Sequence, residues 1–78
     1  MKEITVYTTN RCGYCVAAKQ WLQNYKLEFN EINLDEGNER EKFMDSYPQL
    51  RSSPQIFCDG KHIGGFTDLV QKNPEELK

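Results

Sequence analysis

The sequence predicts an α/β fold in which a four-stranded mixed sheet is flanked by helices, in the order β-α-β-α-β-β-α. Three observations carry that reading. The β-branched and aromatic run Ile4, Val6, Tyr7 gives way at Cys12 to apolar residues spaced by three and four, a change from strand period to helix period. A second apolar run, residues 27–34, follows that helix. Asp59-Gly60 then separates Gln55-Ile56-Phe57-Cys58 from Lys61-His62-Ile63, and this dipeptide supplies the positive φ angles of a tight hairpin turn.

Taken in order, the first strand ends at the polar Thr8-Thr9-Asn10-Arg11, which reads as its following loop. Cys15, Ala18, Leu22 and Tyr25 make one apolar stripe on a helix of about three turns. Leu27 to Leu34 is rich enough in Phe, Ile and Leu for a second strand, but its apolar parity switches between Phe29 and Ile32, so either face fits burial. Asn38 and Glu41 have the spacing of a capping box; Phe43, Met44 and Tyr47 supply the core face of a second helix, and Pro48 stops it. Thr67 is expected to cap a third helix starting at Thr67-Asp68-Leu69-Val70-Gln71, and Asn73-Pro74 to open a closing helical segment. Strands joined through a helix are expected to pair in parallel by a right-handed crossover, while the Asp-Gly hairpin is antiparallel, which makes the sheet mixed.

Seventy-eight residues make one small domain, expected to span 1–78, near the lower size at which one core holds a fold without staples or metal. Ten Lys plus Arg against twelve Asp plus Glu leave a net charge of −2, with the signs interspersed, so neither nucleic acid nor an anionic membrane is expected as partner. The N-terminus alternates apolar and polar residues without the apolar core of a signal peptide, and no segment approaches a membrane span. Three cysteines, one tight pair and a distant singleton, make a poor framework for a secreted mini-protein. The expectation is a soluble, cytoplasmic monomer in a reducing compartment.

Cys12 and Cys15 lie where the first strand hands over to the first helix. Unpaired N–H groups at a helix start favour a thiolate and bring a cysteine pKa from about 8.5 into a range of about 3.5 to 7.5, and Arg11 adds a cation. Cys15, further along the helix, lacks most of that help, which separates the roles: Cys12 attacks and Cys15 resolves. Residues three apart on a helix have Cβ atoms about 5–6 Å apart and a disulfide wants about 3.5–4.5 Å, so a small rotamer change and slight tightening close the bond. Two other readings stand beside this one. A structural staple closing so short a loop removes little unfolded-state entropy. A zinc module is also writable as Cys12, Cys15, Cys58 and His62, although Cys58 and His62 flank a hairpin and the other pair begins a helix. Taken alone, Cys58 reads as a small apolar strand residue and His62 as an exposed hairpin side chain.

Cys12-Gly13-Tyr14-Cys15 after the first strand, Ser53-Pro54-Gln55-Ile56-Phe57 opening the third, and Gly64-Gly65-Phe66-Thr67-Asp68-Leu69 before the last helices together resemble a glutaredoxin, the glutathione-linked branch of the thioredoxin-like fold. The resemblance runs nearly end to end. It implies glutathione-dependent exchange of protein disulfides and glutathionyl mixed disulfides, with Cys12 as nucleophile and Cys12–Cys15 as the redox-active disulfide. It also implies that Tyr14 lines the cleft and that Pro54 is a cis-proline facing the sulfurs, with Ser53 pairing main chain to main chain with the cysteine of glutathione. Thr67 and Asp68 match the residues that bind its γ-glutamyl end, where helix N–H groups suit the carboxylate and Asp68 suits the ammonium. The implied partners are glutathione and disulfide-containing proteins, with ribonucleotide reductase as one example.

The chain departs from the common glutaredoxin pattern in three places. Gly13 stands where proline is familiar, Ser52-Ser53 where Thr-Val is usual, and Thr9 where a lysine is common. Arg11 and Arg51 are then the cations left for the glycyl carboxylate of glutathione. Some glutaredoxins with glycine at the position of Gly13 hold a [2Fe–2S] cluster between two protomers, with the nucleophilic cysteine and glutathione thiolates as ligands. The resemblance therefore implies an alternative in which Cys12 is a cluster ligand in a glutathione-dependent dimer, the chain otherwise supplying no metal site.

Overall fold

The computed structural model describes residues 2–78. Strands β1 (Ile4–Thr8), β2 (Asn30–Asn33), β3 (Gln55–Cys58) and β4 (Lys61–Gly64) form one sheet in the order β2-β1-β3-β4. The helices are α1 (Gly13–Asn24), α2 (Glu39–Ser46) and α3 (Phe66–Val70), followed by a closing 3₁₀ turn, Pro74–Leu77. β1 and β2, joined through α1, pair in parallel. The hairpin strands β3 and β4 are antiparallel.

The alternation of side chains along the strands sorts the core into two clusters. Ile4, Val6 and Ile56 point to one face and pack with Ala18 and Leu22 of α1, Leu27, Leu69 of α3 and Leu77 of the closing turn. Phe57, one residue along β3, points to the other face, where it meets Leu34 and Phe43 of α2, with Tyr7, Tyr47 and Leu50 packed beside them. Each fully buried aliphatic or aromatic side chain contributes about 1.5–3 kcal/mol. The result is a three-layer arrangement with α1 and α3 on one side of the sheet and α2 on the other.

The hairpin turn forms as its residues require: Asp59 and Gly60 have φ of 51° and 82°. Asp59 also ties the turn to the start of β1, its N–H donating to Glu3 O and its carboxylate accepting from Glu3 N, both at 2.7 Å. Asn73 caps the closing turn through its side chain, accepting from Glu75 N at 3.0 Å.

Six expectations from the sequence are corrected. β3 is not parallel to the strand before it. It pairs antiparallel with β1, because Gln55, Ile56 and Phe57 are all buried and such a strand needs neighbours on both edges. The second strand is shorter than residues 27–34, covering the edge segment Asn30–Asn33, while Leu27 packs into the core from the loop. Tyr25 lies outside the α1 stripe, past the helix end, exposed and tilted against Trp21 with ring centroids 4.8 Å apart. Met44 is likewise exposed, and Asn38 precedes α2 without a side-chain cap bond. Thr67 is inside α3, whose cap is Gly65: the Gly65 N–H donates to the Asp68 carboxylate at 3.0 Å. Among the described residues no helix is long and apolar enough to cross a membrane.

Candidate redox site

The loop from β1 to α1 carries the cysteine pair, and three side chains from the far side of β1 fix it. The Asp35 carboxylate accepts the Asn10 N–H at 2.6 Å, Asn33 donates its amide to the Asn10 side chain at 2.9 Å, and Arg40 pairs with Asp35. The Asn10 N–H, then Arg40, hold the Asp35 carboxyl below the usual carboxylate range. Arg11 follows in left-handed conformation, φ 58°, which turns the chain into α1.

Cys12 is the N-cap of α1, in extended conformation, and its sulfur accepts the Cys15 N–H at 3.1 Å. This is the geometry in which a helix start stabilises negative charge on sulfur. Cys12 and Cys15 are joined by a disulfide, with Cα atoms 5.2 Å apart. Their surroundings differ: Cys12 is half-buried, whereas Cys15 is 2% exposed beneath the first turn of α1.

Opposite the pair stands the segment entering β3. The Ser53-Pro54 bond is cis. Ser53 approaches the Cys12 sulfur with both its oxygens, Oγ at 3.6 Å and the carbonyl at 3.7 Å. Ser53 Oγ also meets Thr9 Oγ1 at 2.8 Å, so Thr9 can donate to Ser53 while Ser53 donates to the sulfur. The carbonyl becomes useful to the reduced protein, whose Cys12 S–H can donate to it.

Tyr14, Ser53, Pro54, Thr67 and Asp68 line one shallow hollow, with Ser52, Gly65 and Phe66. Tyr14 is 67% exposed and its ring lies 5.8 Å from that of Phe66. Arg51 lines a neighbouring groove with Thr9, Arg40 and Leu50, and Ser53 is common to both. Arg11 lies on the other side, in a hollow with Cys12, Cys15, Lys19 and Glu31. The structure thus brings five of the expected residues together and leaves the two arginines at the margins. Thr9, noted in the sequence only as a departure from a common lysine, belongs to the surroundings of Cys12 as well, and Gln55 holds the neighbouring Ser52. A glutamine between Pro54 and the apolar run Ile56-Phe57-Cys58 was the available signal.

The zinc reading fails on geometry. Among the described residues, no three or more His, Cys, Asp or Glu side chains come together as metal ligands, so Cys12, Cys15, Cys58 and His62 are not gathered. His62 Nε2 is 2.7 Å from Gln55 Oε1. Cys58 is a half-buried strand residue whose thiol is pushed up by burial and by Asp59. Of this chain's own residues, a shared [2Fe–2S] cluster would draw on the Cys12 sulfur alone, and in this disulfide form that sulfur is bonded to Cys15.

The glutaredoxin family model matches residues 4–63, from β1 into β4. The chain belongs to the glutaredoxin family. A glutaredoxin of Neisseria meningitidis is 38% identical over 76 residues, covering 96% of this chain and 89% of the relative. Among solved structures, glutaredoxin 1 from Francisella tularensis, complexed with cacodylate, superposes with a TM-score of 0.83 at 38% identity, covering 99% of this chain and 98% of the other. A buckwheat glutaredoxin-glutathione complex superposes with a TM-score of 0.78 at 25% identity, covering 97% and 72%. This glutaredoxin has the thioredoxin-like fold and is a thiol-disulfide oxidoreductase with a redox-active cysteine pair.

Proposed function

We propose that the chain acts as one domain, residues 1–78, in the cytoplasm, reducing protein disulfides and glutathionyl mixed disulfides at the expense of glutathione. The observation that carries this reading is the unequal setting of the two sulfurs. Cys12 is half-buried, accepts a helix-start N–H and faces Ser53, while Cys15 is closed off from solvent. The accessible sulfur is the one whose thiolate is stabilised.

In the reduced protein the Cys12 thiolate attacks one sulfur of a substrate disulfide. A Cys12–substrate bond forms, the substrate S–S bond breaks, and the leaving thiolate takes a proton. For a protein disulfide, the Cys15 thiolate then attacks the Cys12 sulfur, expels the second substrate thiolate and forms the Cys12–Cys15 bond. Two electrons have passed from the pair to the substrate. Proximity favours this second step, since well-placed intramolecular groups gain up to about 7–11 kcal/mol over separate reactants. For a glutathionyl mixed disulfide, free glutathione attacks the Cys12-bound glutathione directly. Oxidised glutathione leaves and the Cys12 thiolate returns. Two glutathione molecules likewise reopen the Cys12–Cys15 bond.

In this reading glutathione lies in the hollow beside Cys12. Its cysteine pairs with the Ser53 backbone ahead of Pro54, Tyr14 covers one side, and the γ-glutamyl end meets Thr67 and Asp68. One Asp68 oxygen holds the Gly65 N–H, and the other is assigned to the ligand's ammonium. Arg51, whose groove adjoins the hollow at Ser53, is assigned to the glycyl carboxylate, with Arg11, in the hollow on the other side, as the alternative cation. The buckwheat relative bound to glutathione supports a ligand of this class. The protein substrates are assigned as a class, disulfide-containing proteins, with ribonucleotide reductase one to try and the chain acting as a monomer. A coupled assay decides the electron source. NADPH oxidation through glutathione and glutathione reductase is expected, whereas turnover only with thioredoxin reductase overturns the assignment.

A further inference from the structure

We infer that Gln55 is a positioning residue for the reaction at Cys12, acting through Ser52 and Ser53 and anchored by His62. The inference rests on Cys12 being the attacking sulfur. Gln55 opens β3 and is 5% exposed, a buried amide whose donors and acceptor all need partners. Its Nε2 donates to the Ser52 carbonyl at 3.0 Å and meets Ser52 Oγ at 3.1 Å. That orientation turns Oε1 toward His62 Nε2, 2.7 Å away. Because Oε1 only accepts, the hydrogen in that contact belongs to His62 Nε2. The His62 ring is itself held against Phe57, with centroids 4.9 Å apart. The chain of contacts therefore starts on the β4 strand and ends on a segment that has no regular structure of its own.

Ser52 and Ser53 lie between α2 and β3, where no ladder fixes them. Ser53 is held from one side by Thr9, at 2.8 Å, and through Ser52 by the Gln55 amide from the other. The Ser53 hydroxyl reaches the Cys12 sulfur at 3.6 Å, long enough that a small outward shift of the segment loses it. Neither Gln55 nor His62 touches the sulfur. Their effect is to keep the Ser53 hydroxyl aimed at the charge that the attacking thiolate carries, which a donor stabilises more than it stabilises a thiol.

The test uses reduced full-length protein and follows the Cys12 thiolate by its ultraviolet absorbance against pH. Iodoacetamide alkylation is measured beside it, below the wild-type midpoint, with the modified residue assigned by peptide mass. Gln55→Leu is expected to raise the Cys12 midpoint and slow alkylation about threefold to tenfold, the factor that one hydrogen bond carries. His62→Ala is expected to shift both in the same direction by less, and His62→Gln, whose side-chain amide can donate in place of the imidazole, to recover them. Lys61→Ala, beside His62, is the control for a general disturbance of the hairpin. A merely structural role would lower thermal stability and leave the Cys12 titration where it was; that result in Gln55→Leu, or in His62→Ala if Gln55→Leu does not fold, overturns the inference. Cys12→Ser separates the two levels. Disulfide exchange that survives it removes the underlying reading. Exchange lost in Cys12→Ser together with an unmoved titration in the folded Gln55→Leu protein removes only the role of Gln55.

Discussion

The carboxylate of Asp68 fills the space that Gly64 leaves by having no side chain. A Cβ on Gly64 would lie 2.7 Å from Asp68 Cγ and 2.9 Å from Asp68 Cβ, and Gly64 has φ of 129°, a conformation that few other residues adopt. Gly64→Ala is therefore expected to cost about 1–3 kcal/mol in denaturant unfolding, the range for forcing extra atoms into a packed site. Because the displaced carboxylate is also the one assigned to the γ-glutamyl end, the KM for glutathione should rise in the folded variant. Unchanged stability and KM would show that the two residues do not compete for this space.

A second prediction concerns acid. Asp35 is held below the usual carboxylate range, chiefly by the Asn10 N–H and then by Arg40. A folded-state pKa below the unfolded one contributes stability that is present above the unfolded value and is lost as pH falls through the folded value. Asp35→Asn removes this titration while keeping the shape. Its deficit relative to the wild type should be full at neutral pH and vanish in acid. A deficit that is constant with pH, in urea unfolding at a series of pH values, would contradict the role given to the charge.

A third prediction separates the two thiols by reaction. Cys15→Ser should lose reduction of protein disulfides, because nothing then resolves the mixed disulfide within the chain, yet keep removal of glutathione from glutathionyl substrates. Cys12→Ser should lose both. Equal losses in the two variants, measured in parallel assays, would remove the division of roles.

The parts of this fold written in local chemistry were legible before the structure. Asp59-Gly60 carries its own turn, Pro48 lies beyond the end of α2, and Cys12 sits at the cap of α1 because the strand period changes to the helix period there. What depended on distant partners was not. Met44 and Phe43 are neighbours of similar hydrophobicity, and only the direction in which α2 faces the sheet decides that Phe43 is buried and Met44 exposed. Thr67 has the chemistry of a cap, but Asp68 three residues after Gly65 reaches back to the Gly65 N–H and begins α3 earlier. The order of the strands followed the same logic: β3 is central because three consecutive residues are buried, while the polar Asn30-Glu31 of β2 suits an edge. At the site, the cysteines could be read from spacing. The contact of Ser53 with Thr9 could not, since only the assembled sheet brings those residues together, and that of Gln55 with His62 depended on the register of the hairpin.

The most direct test of the central claim, that Cys12 is the sulfur through which substrate electrons pass, is to trap the intermediate. Reduced Cys15→Ser protein is mixed with oxidised glutathione and the adduct is located by peptide mass analysis. Cys58 serves as the internal comparison, because burial and Asp59 push its thiol up and leave it mostly protonated near neutral pH. One glutathione per chain, bound to Cys12, is the predicted result. Modification of Cys58 in preference to Cys12, or no stable adduct at all, would contradict it.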